Sequence, residues 1–160
     1  MQKIPYYPLD RINAVYGDAF TTAFSSVLQS GWFIRGKENL AFEQNFASFC
    51  GAKHCVGVGN GLEALSLILK AYIALGVLKK NDKVIVPATT FVATWLAVRA
   101  AGLEPLPAEV SESDSLLTRE GVLSVWNSEV KAVIAVHLYG KLAPMESLEQ
   151  LAKEKGFLLI

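Results

Sequence analysis

The sequence lacks an excess of charge of either sign, with 15 Lys+Arg against 15 Asp+Glu in 160 residues. Its basic residues are scattered apart from Lys79-Lys80, so there is no electrostatic footprint for a nucleic acid. Cysteine and histidine are scarce, two of each. Cys50, His54 and Cys55 are an incomplete ligand set for a metal, and the two thiols read as reduced and mostly buried rather than as a disulfide framework. No run is long enough to cross a membrane. The most apolar region, Val84–Ala101, is broken by Pro87 and Arg99, short of the roughly 20 apolar residues a spanning helix needs. The opening MQKIPYYPLD has no apolar signal core, which points to a cytoplasmic protein. Two nucleotide-binding fingerprints are missing as well. Counting from Gly57 gives Gly59 and then Leu62, so G-x-G-x-x-G fails at its third glycine, and no Gly-Lys-Ser/Thr follows to make a phosphate loop of the Walker type.

What the chain has in quantity is apolar side chains: 52% of residues, with a mean hydropathy of +0.33. With a membrane span excluded, two causes remain. Strands are covered on both faces, or surface is buried against something outside the chain. Ile12, Val15, Tyr16, Phe20 and Val27 recur at helical spacing, predicting an amphipathic helix near residues 10–29 that Ser30-Gly31 stops. Phe42, Phe46, Phe49 and Cys50 mark a second helix closed by Gly51. From there strand and helix alternate. Strands are expected at 54–58, 83–86, 103–110, 132–136 and 157–160, and helices at 62–75, 90–101, 116–126 and 145–155. Pro105 and Pro107 assign the third of those strands to an edge or an irregular segment. This pattern is that of an α/β fold with a mainly parallel sheet flanked by helices. A domain seldom ends on a bare apolar strand such as Phe157–Ile160. Residues 1–160 are therefore expected to be the front portion of a longer protein.

In such sheets ligands sit beyond the carboxyl ends of the strands. Three loops fit that position: Gly59-Asn60-Gly61, Pro87–Thr90 and His137–Gly140. The stretch VGVGNGLEALSL, with Gly57, Gly59 and Gly61, raises the question of what needs three glycines. A strand running through glycines into a helix puts free N–H groups and a positive dipole end at one spot, which suits a phosphate. On that reading Asn60 or Gly61 caps the helix and the N–H groups of Gly61, Leu62 and Glu63 point outward. Glu63 would repel a phosphate unless its side chain turns away. The other reading is a tight turn capped by Asn60, and the loop alone leaves both open.

Four segments together carry a resemblance: SGWFIRG (Ser30–Gly36), FEQNFASFCGAKHCVGVGNGLEAL (Phe42–Leu65), VIVPATTFVATWLAV (Val84–Val98) and AVHLYGK (Ala135–Lys141). In this order they resemble the DegT/DnrJ/EryC1/StrS aminotransferases, fold-type-I enzymes that use pyridoxal 5'-phosphate to aminate nucleotide-linked keto-sugars. NGLEAL with TFVATWLAV looks closest to members acting at C3 of a dTDP-linked 3-keto-6-deoxyhexose.

The resemblance implies that residues 1–160 are the N-terminal portion of the large domain of a cytoplasmic homodimer. It puts Gly61, Leu62 and Glu63 at the cofactor phosphate, with Leu62 in place of the commoner Thr. It makes Phe91 the ring that stacks on the pyridine, where the residues alone suggest a core aromatic at a helix start. His137 and Tyr139 become sugar or cofactor neighbours, or simply structural members of their loop. Phe33 and Arg35 become substrate-side residues, where the residues alone favour a solvated surface arginine at Arg35 over one that meets a diphosphate. Lys141 replaces the usual Gln.

In the family the acid that holds the pyridine nitrogen follows the strand that here ends at Ile160, and the Schiff-base lysine comes later. No catalytic residue is therefore expected within these 160, and the chain alone is expected to be inactive. The substrates implied are a small-molecule nucleotide-sugar and an amino-acid donor. Two rivals stand beside this reading: a dehydratase or regulatory relative on the same fold, and an α/β nucleotide-binding module without catalysis.

Overall fold

The computed structural model describes residues 4–160, and the first three residues of the N-terminal stretch lie outside it. The chain forms two compact units, one ending at Gly57 and the other spanning Val58–Ile160.

The first unit holds two helices, α1 (Leu9–Ser30) and α2 (Lys37–Phe49). Gly31 ends α1 with φ 63°, and Gly51 follows α2 with φ 65°. Both are left-handed positions that favour glycine. Neither helix buries a large side chain. Ile12, Val15, Tyr16, Phe20, Phe24 and Leu28 form the apolar stripe of α1, and each is at least 43% exposed. On α2, Phe42 and Phe46 stack with ring centroids 5.5 Å apart. Cys50, at the C-cap of α2, is exposed and Cys55 is half-buried. Both thiols are free, but the expectation that they are mostly buried is corrected, because α2 ends on its open apolar side.

The segment 54–58 is not the strand its apolar residues suggest. Among the described residues it has no ladder partner, and the Gly57 N–H donates instead to Glu43 Oε1 at 2.8 Å. β-Propensity does not make a strand without a neighbour to pair with.

The second unit is an α/β layer structure: α3 (Gly61–Ala74), β1 (Lys83–Pro87), α4 (Ala93–Ala100), β2 (Glu104–Ala108), α5 (Arg119–Val125), β3 (Val130–Val133), α6 (Met145–Lys155) and β4 (Leu158–Leu159). The four strands are parallel, in the order β2-β1-β3-β4. β2 lies at the edge, where Pro105 and Pro107 are tolerated because an edge strand has only one ladder to satisfy.

β1 shows why the composition is so apolar. Val84, Ile85 and Val86 are all fully buried. Val84 and Val86 join Leu69, Val98, Ala132 and Ile134 on the α3/α4 face. Ile85 joins Leu117, Val122, Val133, Leu148 and Leu151 on the α5/α6 face. The register of β1 against β3 slips between Lys83 and Val84, so Lys131 is passed over. That bulge puts Val130 and Val133 on one face despite their odd spacing.

Three expected boundaries move. α4 starts at Ala93 rather than Thr90, and the Thr90 and Thr94 hydroxyls bond to each other at 3.0 Å. Such side-chain bonding competes with the helical backbone. α5 starts at Arg119, because Leu116 and Leu117 are drawn into the core and Leu117 bridges Val110. Thr118 then caps the helix by accepting from the Gly121 N–H at 3.1 Å. β3 lies two residues earlier than expected, at its start. The strand expected at 157–160 is present as β4, extended by the Ile160 N–H to the Val133 carbonyl at 2.9 Å. No helix among the described residues is long and apolar enough to cross a membrane.

Candidate functional site

The strand order reverses beside β1. The chain goes from β1 outward to β2, then returns to β3 on the other side of β1. The loops leaving the carboxyl ends of β1 and β3 therefore diverge, and a crevice at such a point is the usual ligand position of an open α/β sheet. Those loops are Ala88–Val92 and Ile134–Leu142. α3 enters β1 from the opposite end, so its N-terminus lies at the carboxyl end of β1.

At that N-terminus Asn60 is the cap, and its Oδ1 accepts from the Glu63 N–H at 3.0 Å. The Glu63 side chain reaches back past the cap, and its Oε2 accepts from the Gly59 N–H at 2.9 Å. Of the three amides expected to point outward, that of Glu63 is thus already engaged. The N–H groups of Gly61 and Leu62 donate to no protein atom among the described residues.

The glycines differ in what they permit. A Cβ at Gly57 would lie 3.0 Å from Asn39 Oδ1, and one at Gly59 would lie 3.0 Å from Glu63 Oε2. One at Gly61 would meet nothing within 4 Å. Gly57 makes room for Asn39 of α2 and Gly59 for Glu63 of the turn itself, and the third faces open space.

That space is a groove of about 660 Å³ lined by Asn60, Gly61, Leu62, Phe91, Val92 and Leu96, among others. Phe91 is 74% exposed and precedes α4 by two residues, which removes the reading of a core aromatic. The loop and the ring fit a phosphate ester joined to a flat heterocycle: two open amides at a helix N-terminus, and an exposed aromatic face in the same groove. Glu63 lines a second groove, of about 800 Å³, with Lys70, Leu96 and Arg99. The contributions of Val92 and Leu96 were not legible in the sequence, where both read as apolar positions of a longer helix.

His137 and Tyr139 do not line the groove of Gly61 and Phe91. They stand in the loop after β3. His137 Nδ1 accepts from the Ala143 N–H at 3.1 Å, so its remaining proton is on Nε2 when the ring is neutral. Tyr139 is 89% exposed with φ 52°, and Gly140 follows at φ 80°. Two left-handed residues in succession bring the loop round to that imidazole.

Phe33 and Arg35 belong to the first unit. Both line a cavity there of about 440 Å³ with Trp32, Gly36 and Lys37. Arg35 takes φ 51°, and the Trp32 indole N–H donates to the Ile34 carbonyl at 2.7 Å. A Cβ at Gly36 would lie 2.9 Å from the Trp32 carbonyl oxygen, so the loop closes this tightly only with glycine. The Gly57 N–H, then Asn39, and least of all the charge of Arg35 hold the Glu43 carboxyl below its ordinary range. Among the described residues no group of three metal-ligating side chains comes together.

A parallel sheet with helices on both faces and a glycine-rich helix start at its switch point defines the class: the fold of the large domain of fold-type-I pyridoxal-phosphate enzymes. Residues 16–160 match the DegT/DnrJ/EryC1/StrS aminotransferase family, and the chain belongs to it. It is 42% identical over 158 residues to the dTDP-3-amino-3,6-dideoxy-alpha-D-galactopyranose transaminase of Aneurinibacillus thermoaerophilus, covering 98% of this chain and 42% of that protein. It superposes on S. venezuelae DesV in complex with a ketimine intermediate with a TM-score of 0.91 and 34% identity, over 99% of this chain and 42% of that one. It also resembles a GDP-4-keto-6-deoxymannose-3-dehydratase with a trapped PLP-glutamate geminal diamine, at a TM-score of 0.81 and 25% identity, over 88% of this chain and 37% of that one. The chain spans about two fifths of the length of the curated relatives it matches.

Proposed function

We propose that residues 1–160 form the N-terminal portion of the large domain of a pyridoxal-phosphate-dependent enzyme that transfers an amino group to a nucleotide-linked keto-sugar, of the dTDP type. The observation that carries this reading is the groove in which the open amides of Gly61 and Leu62 meet the exposed ring of Phe91. The names of the relatives support the substrate class, and the relative with the highest identity reported above acts on a dTDP-sugar.

When bound, the cofactor supplies the carbonyl that accepts an amine and the ring that draws electrons from the reacting carbon. This chain's own residues do the holding. The Gly61 and Leu62 amides and the dipole of α3 receive the phosphate. The Phe91 ring would stack on the heterocycle, a contact worth about 0.5–1.5 kcal/mol beyond burial. Leu62, in place of a hydroxyl residue, adds an apolar wall and no hydrogen bond. His137 presents Nε2–H and Tyr139 its phenol from the loop after β3, on the sugar side. In the first unit, Phe33 and Arg35 form the substrate loop, the guanidinium being suited to a diphosphate. The exposed stripe of α1 is surface for a second copy in a homodimer.

Likeness to the dehydratase carries a second reading on the same fold, with loss of water in place of amino transfer. The residues named here hold the cofactor in either case.

The test uses the full-length protein. Gly61→Val fills the open space above the two amides without touching the fold, and it is expected to lose cofactor absorbance on dialysis. Phe91→Ala is expected to bind the cofactor about 2- to 10-fold more weakly than Phe91→Tyr, which keeps a stacking ring. Full retention by Gly61→Val, or equal affinity of the two Phe91 variants, would overturn the reading. Incubation with an amino-acid donor and a dTDP-keto-sugar then distinguishes amination from dehydration by product.

A further inference from the structure

A carboxylate in the first turn of α3 is poorly placed beside a phosphate, yet Glu63 stands there. Its Oε2 reaches back to the Gly59 N–H at 2.9 Å, while its own N–H is held by Asn60 Oδ1 at 3.0 Å. The usual capping box returns the acidic side chain to the N-cap amide. Here the return bond lands one residue earlier, on Gly59. Gly59 suits this arrangement, since a Cβ there would lie 3.0 Å from Glu63 Oε2 and displace the carboxylate. The backbone at Gly59 is not in the left-handed region, so its lack of a side chain serves the approach of Glu63 rather than a turn only glycine adopts. The two bonds tie down both ends of the turn Gly59–Glu63. Between them they leave the Gly61 and Leu62 amides without a protein acceptor.

We infer that Glu63 is a positioning residue for the phosphate loop: through Gly59 its carboxylate fixes the turn so that the Gly61 and Leu62 amides face the cofactor phosphate. It makes no contact with the cofactor itself. The inference rests on the phosphate reading for its ligand and on the two hydrogen bonds of Glu63 for its geometry.

The test is made in the full-length protein with Glu63→Ala, Glu63→Gln, Gly59→Ala and the Gly59→Ala/Glu63→Ala double variant. Without cofactor, hydrogen exchange over residues 59–63 is expected to quicken about 3- to 10-fold in either alanine variant, as for the loss of one hydrogen bond. The double variant is expected to go no further, because both changes remove the same bond. Glutamine keeps an acceptor and should exchange like the parent. The dissociation constant for pyridoxal phosphate should rise by a similar factor in the alanine variants and stay near the parent value in Glu63→Gln. Unchanged exchange in Glu63→Ala, or a glutamine variant that behaves like alanine, would overturn the role of Glu63 alone. Exchange that responds while affinity does not would overturn the positioning role if Gly61→Val still releases the cofactor. If Gly61→Val also retains it, the phosphate reading falls with it.

Discussion

α1 and α6 are both amphipathic, and their fates differ. On α6 the apolar face buries Leu148 and Leu151 completely, and on α1 no residue is buried. The difference does not lie in the helices. α6 has a sheet face to lie on, and its Leu148 and Leu151 meet Ile85 and Val133 from the strands. The stripe of α1 is longer and richer in aromatics, yet within its own unit nothing covers it. Periodicity states which face of a helix is apolar and is silent about what that face meets. The high apolar content is therefore distributed unevenly. The second unit covers its strands on two faces, and the first presents apolar surface outward.

The sharpest way to break this comparison is truncation of one large side chain in each region. Ile85→Ala leaves a cavity between β1 and the α5/α6 layer and should cost about 2–5 kcal/mol in a denaturant titration. Phe20→Ala on the exposed stripe should change the stability of the isolated chain by no more than about 0.5 kcal/mol. Similar losses from both would mean that α1 is as well covered as the sheet.

A smaller contrast comes from two glycines. Gly121 lies against the Glu109 carbonyl oxygen, which an added Cβ would approach to 2.3 Å. Gly121→Ala should cost about 1–3 kcal/mol through overpacking. Gly17, inside α1, has nothing within 4 Å of that position. Gly17→Ala should instead stabilise by about 0.5–1 kcal/mol, because alanine loses less backbone freedom in a helix. Opposite signs in thermal unfolding would sharpen the distinction between a packed helix and an open one.

The smallest effect is on pH dependence. The Glu43 carboxyl is depressed below 4.5 mainly by the Gly57 N–H, and that of Glu154 mainly by its bond to Arg119. A depressed carboxylate contributes stability above its unfolded pKa and loses it as pH falls through the lower folded value. Both units should therefore weaken below about pH 4.5. Glu43→Gln keeps an acceptor for Gly57 but should flatten the acid limb for the first unit, followed by amide exchange at residues 54–57. An unchanged acid limb there would remove Glu43 from the account.

Much of the architecture was legible in the order of residues. Glycines after the last apolar turn end α1, α2, α3, α4 and α6 as expected, because only a left-handed residue there satisfies the final carbonyls without strain. Pro105 and Pro107 marked the edge strand for the same kind of local reason. Apart from the start of α4, which the local Thr90–Thr94 bond sets, the main errors lie beyond the reach of local pattern. The segment 54–58 has strand composition and no strand to pair with. Leu116 and Leu117 have helical spacing and are taken by the core. Phe91 reads as the start of a helix and stands exposed in a loop.

For the candidate site, the sequence by itself determined that three glycines lead into a helix capped at Asn60 or Gly61, since cap chemistry depends on neighbours within four residues. Only the tertiary structure decided which amides of that helix are open, because the Glu63 side chain had two choices and its geometry took Gly59. The same holds for Phe91, whose ring joins Gly61 only when β1 delivers its loop to the end of the sheet where α3 begins.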